Sequence, residues 1–253
     1  MKTPLKVQYK RQLQWRDWDT ALSRCPISKG QQVLDLGCGV GDVAQKLARL
    51  GAQVTGIDSN DELVSAAKAD NPGNCAFLLQ DARRLNLRND SFDGLWSSFL
   101  SAYFTDFDSV FSSWVPFLKR RAWVCITDID DLLGHEPLLP LTRKLIEDFY
   151  NEALRSRRYD FKIGSKIQGV LESHGFNTTS ILLKDKELSF DGPATDDVIQ
   201  GWSDRFDRME AFKAFCGDRF PASRDELLRS LSSDYHKSNC RVICCVGSRE
   251  HAE

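Results

Sequence analysis

Val33-Leu34-Asp35-Leu36-Gly37-Cys38-Gly39-Val40-Gly41-Asp42 joins a short apolar run to a helix-forming one through three glycines at alternating positions. Gln32 to Leu36 reads as a buried strand, and Asp42 to Leu50 sets Val43, Ala44, Leu47 and Leu50 on one helical face. Gly51 then stops that helix. Glycine adopts backbone conformations that side chains disfavour and lets a ligand approach the main chain. The spacing therefore predicts a strand, a ligand-binding loop and a helix in direct succession.

Two further acids extend the pattern. Val54-Thr55-Gly56-Ile57-Asp58 is a second strand with a carboxylate at its end, 58 − 37 = 21 residues after Gly37. An acid there can accept both hydroxyls of a ribose, although it also serves as a helix cap. Leu78-Leu79-Gln80-Asp81-Ala82 closes a third strand, where Asp81 could accept a bond from an adenine amino group or cap the next helix. A dinucleotide site would carry its third glycine one place later, at position 42. That place is Asp42, whose carboxylate would compete with a pyrophosphate for the helix N-terminus. A nucleoside ligand without phosphate escapes this objection.

Working outward, strands at Ala76 to Leu79, Gly94 to Ser97 and Trp123 to Thr127 alternate with helices at Asp61 to Ala69 and Phe107 to Leu118. Asn71-Pro72-Gly73 ends the first of those helices. Helices follow at Leu139 to Ser156 and Ser165 to His174, then a strand over Asn177 to Ser189. Asp196 to Phe215 and Ser223 to Tyr235 read as helices before a last strand, Arg241 to Val246. At the N-terminus, Val7 to Ser23 reads as one amphipathic helix bearing Trp15 and Trp18. Strands separated by helices imply a doubly wound, mostly parallel α/β sheet.

The chain of 253 residues, 42% hydrophobic and 28% charged, can fill one large core. A formal net charge of −2 gives no general attraction to nucleic acid or anionic membrane. Lys119-Arg120-Arg121 and Arg155 to Arg158 read as solvated helix ends, where positive charge complements the helix dipole. Eight cysteines without C-x-x-C spacing, four of them (Cys125, Cys240, Cys244, Cys245) in apolar runs, argue against disulfides and zinc. No apolar segment suits a secretory signal, Met1-Lys2-Thr3 included, or a membrane span, so a cytoplasmic location is expected.

Asp35-Leu36-Gly37-Cys38-Gly39-Val40-Gly41, Asp58, Asp81-Ala82 and Ser91-Phe92-Asp93-Gly94-Leu95-Trp96-Ser97 together resemble the class I S-adenosylmethionine-dependent methyltransferases. Within that family the pattern is closest to the small-molecule branch that includes ubiquinone-biosynthesis methyltransferases. The resemblance covers about residues 30 to 130 and implies a seven-stranded, Rossmann-like sheet with an antiparallel edge region. It implies that Gly37, Gly39 and Gly41 border the methionine part of S-adenosylmethionine, with Asp35 and Cys38 also in the cofactor-binding set. Asp58 with Ser59 would hold the ribose, Asp81 with Ala82 the adenine, and Ser97 would line the sulfonium end. S-adenosylhomocysteine is the implied product, with no metal. Ser97-Ser98-Phe99-Leu100 lacks the Asn/Asp-Pro-Pro-Tyr signature of base-amino methyltransferases, so a small-molecule acceptor is expected rather than nucleic acid.

One domain is expected over residues 1–253: a cap helix (1–30), a core (31–189), a helical lid (190–237) and a final strand with its tail (238–253). The lid would hang over the active site, with Tyr9, Trp15 and Trp18 covering the other flank. His135 lies in Thr127-Asp128-Ile129-Asp130-Asp131-Leu132-Leu133-Gly134-His135-Glu136, after the fifth strand. Surrounding acids should raise its pKa, and it suits a general base with Asp130 beside it. Alternatively it is a loop residue capping the helix at Leu139, and the acids bind a cationic amine. His174 suits a helix C-terminus, while His236 and His251 fall in no constellation. Two alternatives stay open: a nicotinamide-dependent oxidoreductase, and a non-catalytic protein that binds S-adenosylmethionine as a sensor or scaffold.

Overall fold

A computed structural model describes residues 4–71 and 73–249; Met1-Lys2-Thr3, Pro72 and His251 lie outside the described residues. In chain order the elements begin with α1 (Leu5–Leu13), α2 (Trp18–Ser23), β1 (Gln32–Leu36), α3 (Asp42–Arg49) and β2 (Gln53–Asp58). Next come α4 (Asp61–Ala69), β3 (Cys75–Leu79), β4 (Phe92–Ser98), α5 (Phe107–Trp114) and β5 (Leu118–Asp130). Then follow β6 (His135–Glu136), α6 (Pro140–Arg155), α7 (Gly164–Ser173) and β7 (Asn177–Leu183). The last are α8 (Asp196–Phe206), α9 (Glu210–Cys216), α10 (Phe220–Leu231), β8 (Lys237–Ser238) and β9 (Arg241–Ser248).

Seven strands form one sheet in the order β3-β2-β1-β4-β5-β9-β7. Pairings from β3 to β5 are parallel, and β9 runs antiparallel between β5 and β7. This is the doubly wound, mostly parallel α/β sheet with an antiparallel region that the sequence predicts. Strand alternation divides the core: Val33, Trp96, Trp123 and Cys125 face one side, and Leu34, Leu36, Leu95, Val124 and Ile126 the other. Both faces are covered by helices, so burial is continuous along Val33 to Leu36 and Ala122 to Asp130 rather than alternating. All eight cysteines are buried as free thiols, and Cys125 Sγ lies 3.5 Å from Cys244 Sγ on the neighbouring strand.

Differences from the sequence reading share one cause, contacts made far away in the chain. Val7 to Ser23 is two helices, because Asp17 caps α2 at Thr20 and the segment between pairs with the turn after β7. Asp17 N–H donates to Lys184 O and Lys186 N–H to Trp15 O. The expected strand Asn177 to Ser189 stops at Leu183, since Asp185 turns the chain by accepting Glu187 and Leu188 N–H. Asp196 to Phe215 breaks around Arg208, whose carbonyl accepts Glu210 N–H in a local turn. The last helix starts three residues early, at Phe220, with Pro221 in its first turn, and ends at Leu231. Lys119-Arg120-Arg121 lies in β5, not at a helix end, and Lys119 pairs with Asp93.

Residues 190–237 are less a cover than part of the core. Trp202, Phe206 and Phe212 are fully buried, and Phe212 stacks near Phe149 of α6 at 4.9 Å. Strands β6 and β8 tie the loop after β5 to the chain entering β9. Among the described residues, no helix is long and apolar enough to cross a membrane.

Close packing across β4 and β5 gives a direct test. A Cβ on Gly94 would lie 2.1 Å from Cε2 of Trp123, its register partner. Gly94→Ala should therefore cost at least ~1–3 kcal/mol by overpacking. Gly169, in α7 with open space around it, should gain about 0.5–1 kcal/mol as Ala. Urea denaturation of both variants checks the contrast.

Candidate functional site

Strand order reverses between β1 and β4, and ligands in open α/β sheets bind beyond the strand ends at such a point. A cleft of about 480 Å³ opens there, a size suited to a cofactor-like molecule. Its floor is the glycine loop, where Gly37 and Gly39 have φ of 74° and 54°, in the region that favours glycine. The Gly37 and Cys38 N–H groups donate to Ile57 O, and Gly39 N–H donates to Asp58 Oδ2 at 2.9 Å. Asp58 Oδ1 accepts Asn60 N–H at 2.9 Å, so each oxygen holds one turn and keeps a lone pair for a ligand.

Sequence-predicted residues divide between the cleft and the scaffold behind it. Gly37, Cys38, Gly39, Asp58, Ser59, Asp81 and Ala82 line the cleft. Asp81 is also held by Arg83 through Nε at 3.0 Å and Nη2 at 2.8 Å, which lowers its pKa. Ala82 O accepts Trp114 Nε1–H at 2.7 Å, anchoring the adenine-side turn to α5. Gly41 is not among the lining residues: it precedes α3, and a Cβ there would lie 2.7 Å from Phe77. Asp35 is buried under the loop, its pKa pushed up to about 7 by burial and then by Asp58.

Ser97 is fully buried and its hydroxyl donates to Leu36 O at 3.1 Å, so it pins β4 to β1 instead of facing the cleft. The next residues, Ser98, Phe99 and Leu100, take that place. Phe99 has φ 55°, a left-handed conformation unusual for an aromatic residue and typical of constrained sites. Its N–H donates to Thr127 O at 2.8 Å, and its ring lies 4.1 Å from the Arg16 guanidinium.

The N-terminal segment roofs the cleft through Leu5, Tyr9, Leu13, Arg16 and Trp18, whereas residues 190–237 contribute no lining side chain among the described residues. The expected lid position is thus taken by the N-terminal cover. Arg16 is fixed by Asp185 at 3.2 Å and by Glu187 at 3.5 Å. Glu187, fully buried, also accepts Arg205 Nη2 at 2.6 Å. Burial pushes the Glu187 pKa up, but Arg205 and Arg16 outweigh it and keep the carboxylate below its ordinary range. Tyr9 and Tyr103 line the cleft with pKa values raised by burial, so both hold their protons at neutral pH.

His135 and Asp130 do not reach the cleft. His135 is buried in β6, with its ring edge-on to Trp202 at 4.9 Å and Nδ1 3.0 Å from His236 Nε2. His236 Nδ1 donates to Gly192 O at 3.0 Å, so His135 donates and its own Nε2 is left buried without a partner. His236 thus belongs to a constellation after all. The His135 pKa falls to about 3, through burial first and His236 next, the reverse of the sequence expectation. Neighbouring acids turn to other partners: Asp130 to Ser165 N–H and Arg241, Asp131 to Tyr150, Glu136 to Arg143. Asp128 accepts Ala102 N–H at 3.1 Å. His174 pairs with Asp108 at 3.1 Å, a tertiary contact beyond a helix-end role.

Sequence reasoning missed Arg157, Arg158, Tyr103 and Phe104 as lining residues. The arginines read as a solvated helix end, and only the turn after α6 brings them to the cleft.

Residues 33–121 match the family model described as a methyltransferase domain. The chain is 31% identical over 105 residues to "Methyltransferase phqN" of Penicillium fellutanum, covering 39% of this chain and 32% of that one. It is 57% identical over 44 residues to a ubiquinone biosynthesis O-methyltransferase of Albidiferax ferrireducens, 17% of each. It spans less than half the length of such curated relatives. A solved S-adenosylmethionine-dependent methyltransferase from Mesorhizobium loti shares its fold, with TM-score 0.54 and 18% identity over 91% of this chain and 97% of that one.

The buried histidine yields a pH test. His135 takes up a proton when unfolded below its ordinary value of 6.5 but resists it in the fold down to about 3. Its contribution is therefore full above about pH 6.5 and declines as pH falls toward 3, by at most about 1.4 kcal/mol per unit. Asp35 and Asp128, both raised to about 7 by burial, act oppositely, gaining stability as pH falls through the same window. The difference between wild type and His135→Phe isolates the histidine. Denaturation from pH 7 to 4 should show the wild type losing ground against the variant at each step.

Proposed function

The chain carries a class I, S-adenosylmethionine-dependent methyltransferase domain, and from that premise we propose that it methylates a small-molecule acceptor. The observation that carries this reading is the Gly39 N–H held on Asp58 at the floor of the cleft. The residues present suit the cofactor. Two left-handed glycines leave main chain open toward the cleft, and Asp58 retains acceptor capacity for two hydroxyls.

S-adenosylmethionine supplies an activated methyl group on a sulfonium sulfur. Toward it, Gly37, Cys38 and Gly39 offer backbone, Asp58 with Ser59 receives the ribose, and Asp81 with Ala82 receives the adenine. Leu100, with side-chain atoms 3.3 Å from where a Gly37 Cβ would be, takes the bordering role expected of Ser97. On the acceptor side Phe99, Tyr103 and Phe104 provide apolar walls, and Tyr9 closes over the glycine loop. Among the described residues no histidine lines the cleft, so catalysis is assigned to positioning of the two reactants and exclusion of water. The Tyr9 and Tyr103 hydroxyls, protonated at neutral pH, donate hydrogen bonds that orient the acceptor.

Asp42 weighs against the nicotinamide alternative: it opens α3 and lines the cleft where a pyrophosphate would sit. Formation of S-adenosylhomocysteine in the presence of an acceptor separates an enzyme from a sensor. Calorimetry should show S-adenosylmethionine and S-adenosylhomocysteine binding, and NAD not binding. Asp58→Ala should weaken both by at least about tenfold, since bonds to a charged carboxylate are worth about 1.5–3 kcal/mol each. NAD binding tighter than S-adenosylmethionine would end this reading.

A further inference from the structure

Arg157 occupies an uncommon backbone position. Helix α6 ends with Arg157 N–H donating to Leu154 O at 3.0 Å and Arg158 N–H to Ala153 O at 2.9 Å. This pair of bonds defines a Schellman cap, whose left-handed residue is usually glycine. Here that residue is Arg157, with φ 55°. A side chain costs stability in this conformation, and such strain gathers at functional sites. The residue lines the cleft, and its side chain has no hydrogen-bond or ion-pair partner among the described residues.

A second cation lies behind this end, outside the residues that line the cleft. Arg208, at the break between α8 and α9, has Nη1 buried without a hydrogen-bond partner. It lies within electrostatic reach of both Tyr9 and Tyr103. Tyr103 in turn meets the ring of Tyr159 edge-on at 5.0 Å, two residues beyond Arg157. The other arginines of the cleft are engaged: Arg16 with Asp185 and Glu187, Arg83 with Asp81, Arg158 with Glu152. The lining acids, Asp42, Asp58 and Asp81, all sit on the glycine-loop and adenine side. Tyr103 feels Asp128 and Asp58 as well as Arg205 and Arg208, so what sets this end apart is that, of the arginines lining the cleft, Arg157 has no partner among the described residues.

We propose that the methyl acceptor carries an anionic group, a carboxylate or a phosphate ester, bound by Arg157 at the Tyr103 end of the cleft. The proposal rests on the methyl-transfer reading above. A guanidinium suits both anions because its fork matches their paired oxygens. The apolar body of the acceptor would lie against Phe99, Tyr103 and Phe104.

Calorimetry on the full chain saturated with S-adenosylhomocysteine tests this with three matched probes: 4-hydroxybenzoate, phenyl phosphate and 4-hydroxybenzamide. At least one anion should bind tenfold or more tightly than the neutral amide, and salt should reduce the difference. The benzoate and phosphate arms distinguish the two sources of charge. Arg157→Gly removes the cation and relieves the left-handed strain. It should keep or raise the melting temperature, leave S-adenosylhomocysteine affinity unchanged and lower the anion preference at least tenfold. Arg229→Ala, which changes an exposed arginine of α10, should leave that preference unchanged. Equal binding of amide and anions, or a preference that survives in Arg157→Gly, overturns the proposal with the cofactor site intact. Failure of S-adenosylhomocysteine to bind would instead overturn the methyl-transfer reading itself.

Discussion

Glu187 is a carboxylate without access to solvent, and three segments far apart in the chain meet on it. Gln12 and Arg16 come from the N-terminal cover, Arg205 from α8, and Glu187 itself from the turn after β7. Removing one partner of a buried ion pair leaves an uncompensated charge and costs about 3–5 kcal/mol. The sheet does not depend on this cluster, but the roof of the cleft does. Arg16 is aimed at Phe99 because Asp185 and Glu187 hold its guanidinium, and Phe99 keeps its left-handed turn beneath that cation. A core common to many proteins thus acquires its own ceiling through one ionic hub.

The core was legible because its signals are local. Three glycines between a strand and a helix, an acid at the end of the next strand and alternating apolar runs each require only a few neighbouring residues. The ceiling was not, because its determinants lie about 170 residues apart in sequence, as in Arg16 with Asp185. Nothing within Val7 to Ser23 says that a helix must break where Asp17 N–H finds Lys184 O. Likewise Asn177 to Leu183 has strand composition, but the charged run Lys184-Asp185-Lys186-Glu187 leaves the strand's end open, and Asp185 turns the chain because its carboxylate meets two backbone N–H groups in place.

His135 shows how proximity in sequence misleads. Four acids and a histidine within ten residues suggest one electrostatic neighbourhood, but each side chain is claimed by a different part of the fold. Asp128 turns toward the backbone of Ala102, Asp130 toward α7 and Arg241, and His135 toward Trp202 and His236. Burial then decides its protonation, since little negative charge faces the ring. Arg157 was misread for a related reason. A basic run after a helix is ordinary on a surface, and only the left-handed cap places it over a cleft.

The eight buried thiols give the chain an asymmetry in time. While folded, Cys125 and Cys240 hold their protons because burial raises their pKa well above the ordinary value, and a protonated, enclosed thiol reacts slowly. Unfolding releases all eight nucleophiles together, at separations that the native geometry no longer sets. Under oxidising conditions a brief excursion would be trapped in whatever crosslink forms first, so shelf life is governed by the rate of opening and not by the equilibrium between states. A thiol reagent added to the native protein consequently acts as a clock for that opening.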